Sequence, residues 1–135
     1  MSLEFELSRR SIRFSSACGA SSPLLRRGGA IVLNASIGAQ TSSSMAYGAS
    51  KAGVRLLGRS LAAELLPSGI RVNTVSAGPI DTPIYGRSDG VPDDILHHFA
   101  AKTPMKRVGT PEEVANAVAF LAKRAAFYRT CSGQI

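Results

Sequence analysis

The strongest constraint on this chain is a strand, a helix and a second strand joined with little slack. Ala30-Ile31-Val32-Leu33 is a continuous apolar run that follows the punctuation of Gly28-Gly29, as expected of a strand buried on both faces of a parallel sheet. Residues 36–44, rich in Ser, Gly and Thr, read as a loop by composition. Residues 45–66 read as a helix, because Val54, Leu57, Leu61 and Leu65 recur at three- and four-residue steps and Pro67-Ser68-Gly69 stops the pattern. Ile70-Arg71-Val72-Asn73-Thr74-Val75 is β-branched and bounded by turn residues, a second strand. Such a βαβ crossover makes the strands parallel and is almost always right-handed. The fold class is therefore α/β. Residues 34–38 and 76–80 follow the two strands at one carboxyl edge, where open α/β sheets bind their ligands.

The flanks are less regular. Residues 78–90 read as loop, 91–102 as a short helix, and Thr110-Pro111-Glu112-Glu113 as the start of another helix that runs through Val114, Val118 and Leu121. The tetrad is a capping box: Thr110 can accept from the Glu113 amide while Glu113 reaches back, and proline suits the first helical turn. Residues 1–22 hold seven serines and three arginines without a sustained apolar period, so they read as a disordered leader ahead of a single domain, 23–135. No apolar segment follows a basic start, as a signal peptide requires, and Glu4 and Glu6 argue against a transit peptide.

Composition removes several classes of function. The net charge of +7 is spread, with no basic run longer than a pair, which argues against a nucleic-acid partner. No uninterrupted apolar run approaches 18 residues, so no membrane-spanning helix is expected. Cys18 and Cys131 make no metal-spaced cluster and read as free thiols of a reducing, cytoplasmic compartment. No metal site is expected.

The chemistry-bearing residues converge on the carboxyl edge. Tyr47 and Lys51 stand four apart near the start of the long helix and share one face. A free phenol titrates near 10, too high for a base at neutral pH. A neighbouring ammonium and the positive end of a helix both favour phenolate. The pair is thus suited to proton transfer. Ser36 follows the first strand, eleven residues before Tyr47, where a hydroxyl can hydrogen-bond a substrate carbonyl oxygen. At the same edge, the loop Ser76-Ala77-Gly78-Pro79-Ile80-Asp81-Thr82-Pro83 offers backbone amides and the Thr82 hydroxyl to an amide or phosphate.

In order and spacing, Asn34-Ala35-Ser36, Tyr47-Gly48-Ala49-Ser50-Lys51-Ala52, Gly69-Ile70-Arg71-Val72-Asn73-Thr74-Val75-Ser76 and Gly78-Pro79-Ile80-Asp81-Thr82-Pro83 resemble the second half of a short-chain dehydrogenase/reductase. The resemblance covers residues 23–121, and Ser132-Gly133-Gln134-Ile135 is similar to the start of the family's last strand. It implies a partial Rossmann-like, three-layer α/β/α domain, truncated at both ends. It further implies hydride transfer between NAD or NADP and a small alcohol or carbonyl substrate. Tyr47 would be the acid/base and part of the cofactor site, Lys51 would lower its pKa and hold the nicotinamide ribose, and Ser36 would orient the carbonyl. The Ile80 backbone and the Thr82 hydroxyl would bind the carboxamide end of the cofactor, with Gly78 and Pro79 also in the cofactor site and residues 85–105 covering the substrate. A homo-oligomer through helix 45–66 is implied as well, its close approach permitted by Gly48, Ala49, Ala52 and Gly53.

The sequence also departs from the family. The glycine-rich loop TGxxxGxG, the Asn-Ala-Gly segment and the upstream helix Asn are absent, and Ala77 stands where proline is common. The interval from Ser36 to Tyr47 is shorter than usual. Two rivals follow. A catalytically inactive family fragment would act only in oligomerisation. A serine hydrolase would use Asn34-Ala35-Ser36-Ile37-Gly38 as an approximate G-x-S-x-G elbow, with His97 or His98 and Asp81 or Asp93. That motif lacks its first glycine, and two adjacent histidines on a helix point roughly 100° apart.

Overall fold

The computed structural model describes residues 27–41, 45–83 and 93–123. Strand β1 (Ala30–Asn34) and strand β2 (Arg71–Val75) form a two-stranded parallel sheet, with Ile31 opposite Val72 and Leu33 opposite Thr74. Between them lie α1 (Gly38–Thr41) and α2 (Met45–Leu65), followed by a 3-10 turn, Leu66–Ser68. Helices α3 (Asp93–Lys102) and α4 (Pro111–Ala122) come after β2. The expectations for residues 1–22, for most of the loop after Pro83 and for the final strand lie outside the described residues.

Alternation along the strands divides the side chains between two faces. Leu33, Ile70 and Val72 join Ala62 and Leu65 of α2 in one buried cluster, with Ile31, Val54 and Leu61 packed against it. Burying a Leu or Val fully contributes about 2 kcal/mol, so this cluster is a substantial source of stability. Gly58 lets α2 settle on the sheet: a Cβ there would collide with Thr74 Oγ1 and stand 3.2 Å from Leu33 Cδ1. Arg71 alternates to the opposite face. Its guanidinium, with the residue only 4% exposed, donates to the carbonyl of Leu121 at 2.9 Å, and to those of Ala122 and Lys123 at 3.3 and 3.1 Å. A helix C-terminus leaves carbonyls without helical partners and carries negative potential, so a cation there is doubly favoured. Helices on both faces make the expected three-layer α/β/α arrangement.

Three details refine the sequence reading. Residues 36–44 are not all loop, because α1 occupies part of them. Ser36 accounts for this: its Oγ accepts the Gly38 amide at 3.1 Å and its carbonyl accepts the Ala39 amide at 3.1 Å. A polar stretch that reads as loop thus caps one helical turn. The long helix ends at Leu65 and tightens into the 3-10 turn around Pro67, and Gly69 closes it at φ 72° while donating its amide to Leu66. The capping box forms as expected, with Thr110 Oγ1 accepting from Glu113 N at 3.4 Å and Glu113 Oε2 accepting from Thr110 N at 2.9 Å.

Candidate active site

The carboxyl edge is laced beyond the strands themselves. Ala35 N–H donates to Val75 O at 2.8 Å and Ile37 N–H to Ala77 O at 3.0 Å. Ser36 therefore sits between two anchored residues, beside the segment that leaves β2. Because its Oγ accepts from Gly38, its own hydroxyl proton stays available for an incoming oxygen.

Tyr47 lies in the first turn of α2, half-buried and near the positive helix end. Gly38 shows how close the serine and the phenol ring come: a Cβ built there would stand 2.7 Å from Tyr47 Cε1 and 3.3 Å from Ser36 Oγ. Glycine is the residue that lets the two converge. One turn on, the Lys51 ammonium lies 5.7 Å from the Tyr47 ring centroid and donates to the Asn34 carbonyl at 3.2 Å. The three residues singled out by sequence are thus gathered at the end of β1. Sequence reasoning missed Asn34 O and Gly38 as parts of this site. Gly38 had a signal, a glycine two residues after the candidate serine.

Loop 78–83 lies along the same edge. Ile80 forms an isolated parallel bridge with Gly109, and Thr82 Oγ1 donates to Ile80 O at 3.4 Å. Gly78 is exposed, while Pro79, Ile80 and Thr82 are half-buried. The bridge brings residues 107–113 to this edge, where Arg107 holds Glu113 through its two terminal guanidinium nitrogens, at 2.8 and 2.5 Å. The Arg107 hydrogen bonds, and secondly the Thr110 amide, lower the Glu113 pKa to about 2.

The hydrolase constellation does not assemble. His97 and His98 are both exposed on α3, His98 resting edge-on against Phe99 at 5.7 Å, and Asp93 is exposed at the start of that helix. The hydrogen bond at Ser36 Oγ comes from Gly38 instead. Among the described residues no three His, Cys, Asp or Glu side chains are placed to hold a metal ion, and no helix is long and apolar enough to cross a membrane.

Comparison with known proteins supplies the context. A family model described as Enoyl-(Acyl carrier protein) reductase matches residues 7–135, a span that starts within residues 1–22. The cis-4-hydroxycyclohexanecarboxylate dehydrogenase of Sinomonas cyclohexanicum is 48% identical over 86 residues, 64% of this chain and 33% of that protein. A short chain dehydrogenase family protein from Francisella tularensis subsp. tularensis SCHU S4 superposes with a TM-score of 0.73 at 30% identity, over 90% of this chain and 53% of that one. A 3-oxoacyl-(acyl-carrier protein) reductase with bound NAD from Brucella melitensis gives 0.70 at 30% identity, over 84% and 40%. The chain spans about a third to a half of the length of these proteins. A family match over residues 7–135 and a fold shared over 90% of the chain lead to one assignment: this chain belongs to the short-chain dehydrogenase/reductase family.

Proposed function

We propose that this chain carries the hydride-transfer end of a nicotinamide-dependent oxidoreductase acting on a small alcohol or carbonyl compound. The observation that supports the reading is the meeting of Ser36 and Tyr47 around Gly38, with Lys51 fastened to the Asn34 carbonyl one turn away. The printed names of the relatives, dehydrogenases and reductases, agree with it.

The residues suit the nicotinamide end of the cofactor. Lys51 would hold the ribose, and the Ile80 backbone and Thr82 hydroxyl would take the carboxamide, with Gly78 and Pro79 shaping the loop. When bound, the nicotinamide supplies or accepts the hydride. In the reductive direction Ser36 donates its hydroxyl proton in a hydrogen bond to the substrate carbonyl oxygen. Tyr47 then transfers its phenolic proton to that oxygen as negative charge develops there, and the Lys51 ammonium stabilises the phenolate left behind. Oxidation runs the same proton back to Tyr47. NAD and NADP are both carried in this reading, and a cytoplasmic location is part of it.

A homo-oligomer through α2 is the second element of the proposal. Met45, Ala49, Ala52, Gly53 and Leu56 are exposed along that helix, a face of small and apolar residues suited to a second copy. Leu56→Lys should lower the sedimentation coefficient if that face pairs.

Tyr47→Phe tests the chemistry. With NADH or NADPH and a panel of small ketones, the rate should fall by roughly a hundredfold or more. An unchanged rate would remove the phenol from the mechanism.

A further inference from the structure

The loop assigned to the carboxamide is shaped from outside the sheet. Gly109 donates its amide to Pro79 O at 2.9 Å and accepts the Asp81 amide at 3.0 Å. In a parallel bridge of this kind both bonds go to the residues flanking Ile80, so the N–H and C=O of Ile80 itself face the other way. Thr82 Oγ1 meets that outward carbonyl. Gly109 therefore decides where the Ile80 amide points.

Gly109 is in turn held by its neighbours. Arg107 Nη1 donates to Glu113 Oε2 at 2.8 Å and Nη2 to Oε1 at 2.5 Å, a two-pronged contact, while Nη1 also reaches Val108 O at 3.1 Å. The same carboxylate accepts the Thr110 amide at 2.9 Å. Residues 107–110 are thus folded onto the first turn of α4, and Arg71 fixes the far end of that helix to β2. The fit around Gly109 is close, since a Cβ there would stand 2.7 Å from Ile80 Cδ1 and 3.4 Å from Glu113 Oε2.

We propose that Arg107 and Glu113 are positioning residues for the nicotinamide: they hold Gly109 in the bridge that turns the Ile80 amide toward the cofactor. The proposal rests on the reading of loop 78–83 given above. It adds a route from an exposed ion pair, through one glycine backbone, to a cofactor contact that neither charged side chain makes.

The test compares Glu113→Gln and Gly109→Ala with Thr110→Ala, all in the full chain. Thr110→Ala removes the helix cap but keeps the Arg107–Glu113 contact, so it controls for a purely structural loss in α4. Two readouts are taken: calorimetric affinity for NADH and then NADPH, and amide hydrogen exchange at Asp81 and Gly109. Glu113→Gln should weaken cofactor binding by about fivefold and Gly109→Ala by roughly tenfold or more, while Thr110→Ala at matched thermal stability leaves the affinity within about twofold. Exchange at the Asp81 and Gly109 amides should quicken by about tenfold in Glu113→Gln. Equal losses of affinity in Glu113→Gln and Thr110→Ala would overturn the positioning role. Unchanged exchange would overturn the brace itself. No cofactor binding by the unsubstituted chain would overturn the reading of the loop, and the exchange rates would still decide whether the brace exists.

Discussion

The ammonium of Lys51 donates to the carbonyl oxygen of Asn34 at 3.2 Å, joining a side chain of α2 to the last residue of β1. Asn34 is opposite Val75 in the sheet, and the parallel pairing takes the Ala35 amide to Val75 O, so the Asn34 carbonyl is turned away from β2. Lys51 uses an acceptor that the strand pairing leaves over. The same contact keeps its charge 5.7 Å from the Tyr47 ring centroid.

The crowding at Gly38 yields a prediction about the site. A methyl group there would force the Tyr47 ring away from Ser36, since the Cβ and Cε1 would be 2.7 Å apart. Under the role proposed for Tyr47, Gly38→Ala should lower kcat/KM by roughly a hundredfold. The thermal midpoint should move little, because alanine is the better residue in a helical turn. Initial rates and a melting curve on the same sample check this.

Arg71 gives the largest expected loss of stability. Replacing it with Met leaves the carbonyls of Leu121, Ala122 and Lys123 without these donors. Hydrogen bonds from a charged donor are worth more than neutral ones, and a cost of about 3 kcal/mol is expected for Arg71→Met. Urea denaturation measures it, and a midpoint like that of the unsubstituted chain would speak against the clamp.

Thr74 points the other way. Its Oγ1 is buried without a hydrogen-bond partner, pressed toward Gly58. Thr74→Val keeps the shape and removes the unpaired hydroxyl, so the chain should gain about 1 kcal/mol in the same urea experiment.

Glu113 sets a pH dependence. Its pKa is lowered from 4.5 to about 2 in the folded chain, first by the Arg107 hydrogen bonds and then by the Thr110 amide. The unfolded chain therefore binds the more protons between those values, so stability rises with pH across that window. The contribution is complete above about pH 4.5 and is lost as the pH falls toward 2. The difference in urea midpoint between the unsubstituted chain and Glu113→Gln should shrink on acidification through this range. It should also shrink in high salt, because the pair is exposed.

Local pattern made much of the architecture legible. The apolar run at residues 30–33, the three- and four-residue steps from Val54 to Leu65 and the β-branched run to Val75 each mark an element through its own period. Thr110 and Glu113 announce a helix start by spacing alone. Tyr47 and Lys51 are readable as a pair because a helix places them on one face. What stayed hidden depends on contacts between distant segments. Arg71 reads as one polar residue in a strand, and its partners at Leu121 to Lys123 lie about fifty residues away. Gly109 reads as a spacer before a helix, yet its backbone shapes the loop around Ile80. The turn at Gly38–Thr41 was hidden for a local reason, since serine caps and loops share one composition.

A carboxyl edge that holds a nicotinamide, as proposed above, should bind the free cofactor. Calorimetric titration of NADH, then NADPH, into the full chain and its Lys51→Met variant tests it most directly. Saturable binding of one of them, weakened by roughly tenfold or more in Lys51→Met, is the result expected if the ammonium holds the ribose. A folded chain that binds neither, or a variant that binds as tightly as the unsubstituted chain, would contradict the account.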